Sequence, residues 1–177
     1  MDKIDRELIT LLQENARMPL KALAEKVFLS SPAVSARIER LEKAGYIEGY
    51  EARLDMRKLG YHITAFINLE VAPDQKPEFY PFAQQCKNII ECNCVTGNYS
   101  MLLKVVFPST TELDTFIGQL QKFGRTSTQI VFSTPVEPRG IDVNVLVDKS
   151  EGEEEKHTRR TRRSKKEVQE KDKKDDT

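Results

Sequence analysis

The chain has 177 residues, and its 28 basic and 28 acidic side chains leave no net charge. About 45 % of residues 1–148 are apolar, as in an ordinary globular protein, whereas Val168 is the single apolar side chain of residues 149–177. That last segment has too little buriable surface to offset the entropy of ordering, so we expect a disordered, charged tail there.

The sequence also excludes several classes of protein. No run of about 18 apolar residues occurs, and the N-terminus carries acids where a signal peptide carries a basic segment, so we expect a soluble, cytoplasmic protein without membrane contact. The three cysteines, Cys86, Cys92 and Cys94, suggest buried free thiols rather than a disulfide scaffold or a zinc site. Common catalytic and phosphate-binding motifs are absent. We therefore predict no enzyme, no cofactor and no metal.

The first two predicted elements are short helices. Apolar residues recur at helical spacing from Ile4 to Leu12, and the acidic Asp2 suits a helix N-terminus. This helix should end near Asn15. A second helix should follow Pro19, because proline is tolerated at the start of a helix.

A third helix is predicted after a serine-containing turn. It should start at Ser31, where Pro32 fits the first turn, and run to Ala44, with Gly45 as its stop. Its buried stripe should be Val34, Ile38 and Leu41. Three short helices with such a turn are typical of a helix-turn-helix, here of the winged type, and we assign residues 1–45 to a DNA-binding domain.

The opposite side of the third helix carries the candidate contacts with double-stranded DNA. Its outward positions include small and basic side chains that suit a groove floor and phosphates. The candidate phosphate contacts are Ser30, Ser31 and Lys43, and the candidate base contacts are Ala33, Ser35, Arg37 and Arg40. The alternative is a solvated helix face, since Glu39 and Glu42 are also present.

The rest of the chain predicts an α+β domain. A connecting segment at residues 46–60 should contain an extended strand over 46–54. The following pattern gives strands at 62–71, 89–96, 101–107 and 128–135, helices at 73–86 and 111–123, and one more strand at 141–147. The order βαββαβ predicts a ferredoxin-like (ACT-like) sandwich at residues 61–148. Its uncovered sheet face favours self-association.

Three groups of residues form a specific combination: Asp5 with Leu11 to Arg17; Leu29-Ser30, Val34, Arg37-Ile38 and Leu41-Glu42; and Gly45 to Tyr50. Together with the predicted order of elements, they resemble the Lrp/AsnC family, the feast/famine transcription regulators, over residues 2–148. The resemblance implies a sequence-specific DNA-binding regulator. It also implies a homodimer or a larger assembly, up to an octamer, and a response to an amino-acid effector bound between subunits.

The resemblance further implies an effector site in the sheet domain. The family joins its second and third strands by a Gly and a polar segment, which here is Gly97, Asn98, Tyr99 and Ser100. Ser100 stands where the family commonly has Asp. The hydroxyls of Thr126 and Thr128 resemble the entry to the last strand and suit a ligand carboxylate. The alternative is that the Gly97 segment is an ordinary hairpin turn.

Two other functions remain open from the sequence. Some proteins similar to this family are tetrapyrrole (siroheme) decarboxylases, but His62 is the single histidine that the sheet domain offers for acid–base catalysis. The other alternative is an amino-acid sensor that acts only through protein partners.

Overall fold

The computed structural model describes residues 1–144, which form two compact units. The helical unit contains residues 1–51 and also 138–144, and the sheet unit contains residues 52–137. The tail predicted at 149–177 and the last part of the strand predicted at 141–147 lie outside the described residues. Residues 141–144 are not a strand.

The helical unit contains α1 (Lys3–Glu14), α2 (Leu20–Val27) and α3 (Ser31–Lys43), close to the predicted bounds. A capping box begins α1: the Asp2 side chain accepts from the Asp5 N–H, and the Asp5 side chain accepts from the Asp2 N–H. The three helices share one apolar core. Its buried members are Leu8, Leu23, Ala24, Val27 and Val34.

The segment after α3 differs from the prediction. No strand is present between residues 45 and 62, although 46–54 were predicted to form one. The N–H groups of Tyr46 and Ile47 instead donate to the Leu41 carbonyl, as a continuation of the helix end. The alternating apolar pattern predicts a strand, but a strand also requires a hydrogen-bonded neighbour, and this segment has none within residues 1–144.

The sheet unit has the predicted ferredoxin-like topology. Its elements are β1 (Ile63–Val71), α4 (Lys76–Gln85) after a 3-10 turn at Pro73–Gln75, β2 (Ile89–Cys94), β3 (Met101–Phe107), α5 (Thr110–Leu120) and β4 (Gly124–Ile130). The strands are antiparallel in the order β2-β3-β1-β4. The core lies between the sheet and the two helices. It includes Ile67, Leu69, Phe79, Leu103 and Phe116.

The last strand begins four residues earlier than the predicted 128–135. Gly124 pairs with Val71, and Phe132 lies beyond the strand with its side chain 92 % exposed. The sequence pattern was misleading because the apolar run at 130–132 looks like a strand centre. Pairing with β1 instead selects the polar residues 125–129, which are tolerated because β4 is an edge strand.

We predict that an added methyl group has opposite effects on stability at two glycines. Gly124 has φ 153°, and a Cβ atom there would lie 1.8 Å from the Glu70 carbonyl oxygen, whereas Gly118 is exposed within α5 with open space around it. We expect Gly124→Ala to lower the free energy of unfolding by about 2 kcal/mol or more, and Gly118→Ala to raise it by up to about 1 kcal/mol. Urea titration of both variants checks this, and a Gly124→Ala variant as stable as the wild type would contradict it.

Candidate functional site

The start of α3 is built by a serine cap. The Ser30 hydroxyl accepts from the Ala33 N–H at 3.4 Å, and Pro32 occupies the first turn, where its missing N–H costs nothing. The turn before it ends α2 at Phe28, whose backbone is left-handed. These features fix where α3 begins.

Helix α3 has one inner and one outer face. Val34 and Leu41 are fully buried, and Ile38 packs against the helical core. Side chains on the far side are exposed: Pro32, Ala36, Glu39, Arg40 and Lys43. Pro32 was missing from the predicted outward positions, although helical periodicity places it there, and Glu39 was assigned to this face only in the alternative of a solvated helix.

Four charged side chains join α1 to α3. The Arg37 Nη1 atom lies 2.6 Å from Asp2 Oδ2 and 2.7 Å from Asp5 Oδ1. The Arg40 Nη2 atom lies 2.9 Å from Asp5 Oδ1 and 3.0 Å from Asp5 Oδ2. The Asp5 side chain is only 3 % exposed. A buried carboxylate with two guanidinium partners therefore connects the helical core to α3.

The ion pairs change the titration of the groups that form them. The hydrogen bond from Arg37 lowers the pKa of Asp2 to about 2, with help from the Asp5 N–H. Burial raises the pKa of Asp5, but the Asp2 N–H and Arg37 outweigh it, so the net pKa lies below the ordinary value. Hydrogen bonds with Asp2 and Asp5 raise the pKa of Arg37. All three groups are thus charged at neutral pH.

The predicted outward position of Arg37 therefore needs correction. Its side chain is 23 % exposed and held against α1, because the two carboxylates of the capping box attract it inward. Contact with DNA would require Arg37 to leave two ion pairs, and its base-reading role stays a prediction. Arg40 uses one nitrogen on Asp5 but remains 61 % exposed, so its guanidinium is accessible from outside.

The structure places the other candidate DNA contacts on or beside the outer face. Ser30 is exposed, whereas Ser31, Ala33 and Ser35 are half-buried. The Ser35 hydroxyl lies 3.4 Å from Glu39 Oε1, and Lys43 Nζ lies 4.0 Å from Glu39 Oε2. Glu39 thus stands between a hydroxyl and an ammonium group on the exposed side of α3.

In the sheet unit, the predicted effector turn joins β2 to β3. Gly97 has φ 111°, a conformation that glycine adopts readily, and Asn98 is exposed. The Ser100 hydroxyl accepts from the Val71 N–H at 2.9 Å and lies 3.2 Å from the Val71 carbonyl oxygen. Ser100 therefore ties the turn to the end of β1, which also gives it a structural role.

Thr126 and Thr128 lie inside β4 rather than at its entry. They are paired with Leu69 and Ile67, so they face the helix-covered side of the sheet. Ser100 donates its backbone N–H to the Leu69 carbonyl from the other side of β1. The turn and the threonines are therefore separated by two strand spacings, about 9.5 Å, and share one end of the sheet without forming a single pocket.

Two charged residues at this end were missed by the sequence analysis. Arg125 Nε lies 3.4 Å from Glu70 Oε2, and the Arg125 guanidinium carbon lies 5.5 Å from the centre of the Tyr99 ring. Arg125 thereby connects β4 to the turn. The missed signal was the β1–β4 register, which pairs Glu70 with Arg125 and which the misplaced start of β4 concealed.

Within residues 1–144, each unit has a cavity. One of about 790 Å³ in the helical unit is lined by α1, by residues 45–51 and by Ile141 and Val143. Another of about 460 Å³ lies between α4 and β2. Neither contains the predicted effector residues. Cys92 and Cys94 line the second cavity and are exposed, which corrects the prediction of buried thiols, because β2 is an edge strand.

Comparisons with known proteins decide the family. Residues 1–48 match the model for winged helix-turn-helix DNA-binding domains, and residues 64–141 match the Lrp/AsnC ligand-binding domain. The chain belongs to the Lrp/AsnC family. It is 36 % identical to the transcriptional regulator YezC of Bacillus subtilis over 76 % of this chain and 95 % of YezC. It is 33 % identical to LrpA of the same organism over 74 % of this chain and 97 % of LrpA.

Solved structures agree with this assignment. LrpC of Bacillus subtilis superposes with a TM-score of 0.74 at 28 % identity, over 78 % of this chain and 99 % of LrpC. A regulator of Neisseria meningitidis in complex with L-Met gives a TM-score of 0.78 at 26 % identity, over 82 % of this chain and 99 % of that protein. The protein is thus an HTH-type transcriptional regulator of the Lrp/AsnC family.

The names of these relatives also bear on the alternative functions left open by the sequence. The relatives are named transcriptional regulators rather than enzymes, so the decarboxylase is not favoured. His62 is exposed just before β1. No helix within residues 1–144 is long and apolar enough to cross a membrane.

The ion pairs between α1 and α3 should contribute to stability in a pH-dependent way. The pKa of Asp2 is about 2 in the folded state and about 3.9 in unfolded chains, so its ion pair stabilises the fold above pH 4 and is lost as the pH falls towards 2. Asp2→Asn keeps a good helix cap and removes the charge. We expect a loss of about 1 kcal/mol or less at pH 6, since Asp2 is half exposed, and a clearly smaller loss near pH 2, where about half of the Asp2 carboxyl groups are protonated in the folded state. Urea titrations at both values measure it, and a loss that is equal at both values would contradict the ion pair.

Proposed function

We propose that α3 reads a specific DNA sequence in the major groove through its outer face. The observation that carries this is the division of α3, in which Val34, Ile38 and Leu41 turn inward while the small Ala36 stands exposed among polar side chains. A small residue in the middle of the face lets the helix backbone approach base edges. Such a regulator works where the chromosome lies, which supports the cytoplasmic location expected from the sequence.

Different residues of this face take different roles. Lys43 and Arg40 are exposed cations at the C-terminal half of α3 and suit phosphates, and the Ser30 hydroxyl lies at the N-terminal end. Arg37 acts by holding α3 against α1. Glu39 is different, because DNA repels its carboxylate, and only a hydrogen bond from a base can compensate for that repulsion. In the major groove, the N4 amino group of cytosine is such a donor.

We therefore predict that Glu39→Gln changes the base preference of the protein. To test this, binding sites are selected from a random DNA library with the wild type and with Glu39→Gln. We expect one cytosine in each half-site of the wild-type consensus to become adenine with the variant, because glutamine pairs with the N6 and N7 atoms of adenine. At that position, the variant should lower the preference for cytosine by about tenfold or more.

Glu42→Gln is the matched control. It removes the same charge from the same helix, and its amide oxygen can still accept the hydrogen bond that the Tyr50 hydroxyl donates to Glu42 at 2.8 Å. The consensus of this control should match that of the wild type. An unchanged consensus with Glu39→Gln removes Glu39 as a base reader, and a wild type that selects no sequence at all removes the proposed function.

We also propose that the sheet unit joins copies of the chain. One sheet face is covered by α4 and α5, and the other carries the half-buried Phe66 and Leu102 among polar side chains. Such a face favours a homodimer or a larger assembly, up to an octamer. A dimer would present two copies of α3 to a pseudo-palindromic site.

A small zwitterion is the effector that this unit suits best. Glu70 and Arg125 form an exposed pair beside Tyr99 and Ser100, and they supply the two charges that an amino acid needs: a guanidinium for its carboxylate and a carboxylate for its ammonium group. They offset the missing carboxylate at Ser100. Because Thr126 and the turn lie on opposite sides of β1, we propose that a second copy completes the site with Gly97 and Asn98.

The effector proposal predicts a thermal shift that depends on Arg125. With an amino acid at about 100 times its Kd, the folded state gains about 2.7 kcal/mol, which corresponds to a rise in Tm of several degrees. Arg125→Gln should abolish the shift, whereas Arg57→Gln, which changes another exposed arginine of the same unit, should preserve it. A shift that persists with Arg125→Gln places the ligand elsewhere. If none of the twenty amino acids shifts the wild type, the effector is not an ordinary amino acid.

A further inference from the structure

Phe28 in the turn between α2 and α3 has an unusual backbone. Its φ and ψ angles are 56° and 42°, and it is the one non-glycine residue with positive φ among residues 1–144. This left-handed conformation is costly for a bulky side chain and costs glycine nothing. The N–H groups of Phe28 and Leu29 both donate to the Ala24 carbonyl, so the turn depends on the backbone conformation and not on the phenyl ring.

The side chain of Phe28 does not compensate for this cost. It is 93 % exposed, so the ring packs against almost nothing in the folded chain. A glycine would serve the turn equally well and would place no apolar ring in water. A single exposed apolar side chain is common, but one that is also held in a strained backbone conformation points to a function outside the folded chain.

We propose that the ring of Phe28 contacts the apolar surface of DNA, either a thymine C5-methyl group or a deoxyribose. This rests on the proposed function of α3. Phe28 lies two residues before the Ser30 cap, at the end of α3 that enters the major groove in helix-turn-helix proteins. Its neighbours along the chain include the exposed Lys26 and Ser30, whose ammonium and hydroxyl groups suit phosphates. These surroundings fit DNA better than a dry contact between protein surfaces.

Phe28→Ala and Phe28→Gly test the contact, with Phe132→Ala as the matched control. Phe132 is 92 % exposed and belongs to the sheet unit. The DNA site selected by the wild type is titrated with each protein by fluorescence anisotropy at fixed salt. We expect both Phe28 variants to bind about tenfold more weakly, and Phe132→Ala to bind like the wild type. Thermal melts should show Phe28→Ala as stable as the wild type and Phe28→Gly as stable or more stable, because glycine relieves the backbone strain.

A binding site with deoxyuridine in place of thymidine separates the two kinds of DNA surface. If the ring contacts a C5-methyl group, this change weakens the wild type and leaves Phe28→Ala unaffected. If the ring contacts deoxyribose, the change has the same effect on the wild type and on Phe28→Ala, and the variant still binds both DNA sites more weakly than the wild type.

Other outcomes overturn the contact. Full affinity of both Phe28 variants removes it and leaves the proposed function of α3 intact. A lower molar mass of Phe28→Ala in light scattering assigns the ring to a second copy of the chain instead. A wild type that selects no DNA site removes the proposed function and this contact together.

Discussion

The buried carboxylate of Asp5 is the charge on which the helical unit depends. A carboxylate that is only 3 % exposed needs charged partners, and the guanidinium groups of Arg37 and Arg40 on α3 supply them. The backbone N–H of Asp5 also donates to Asp2 in the capping box of α1. One side chain therefore fixes the start of α1 and the rotation of α3 about its axis. That rotation decides which residues of α3 face outward. The same ion pairs occupy Arg37, so the positive charge that α3 itself offers to a nucleic acid comes from Arg40 and Lys43.

In the sheet unit, pairing of the backbone strands rather than charge positions the side chains. The central strand β1 has Ser100 on one side, in the turn that leads into β3, and Thr126 of β4 on the other. A ligand that used both would have to cross β1 or meet them from a second copy. The charged pair Glu70 and Arg125, by contrast, lies on adjacent strands, and the ring of Tyr99 brings the turn towards it.

Much of this architecture could be predicted from the sequence. The bounds of α3 followed from a serine cap, a proline and Gly45, which act within a few residues of one another. The helix-turn-helix and the βαββαβ order followed from apolar periodicity. Long-range pairing could not be predicted in this way. Residues 46–54 have a strand-like pattern and no partner, and β4 is displaced because register with β1 outweighs the apolar run that ends at Phe132. Arg37 was misplaced since its wheel position is near the boundary of the buried face, and carboxylates more than thirty residues away decide its direction.

The hydroxyl of Ser100 has a mechanical consequence. It bridges the N–H and carbonyl groups of Val71, and Val71 is paired with Gly124 at the first residue of β4. Gly124 in turn approaches Glu70 so closely that no side chain fits between them. Contacts therefore run from the turn through the end of β1 to the first residue of β4. Displacing the turn would require the Ser100 hydroxyl to break its hydrogen bonds with Val71, so the turn and the two strands form one connected corner of the sheet.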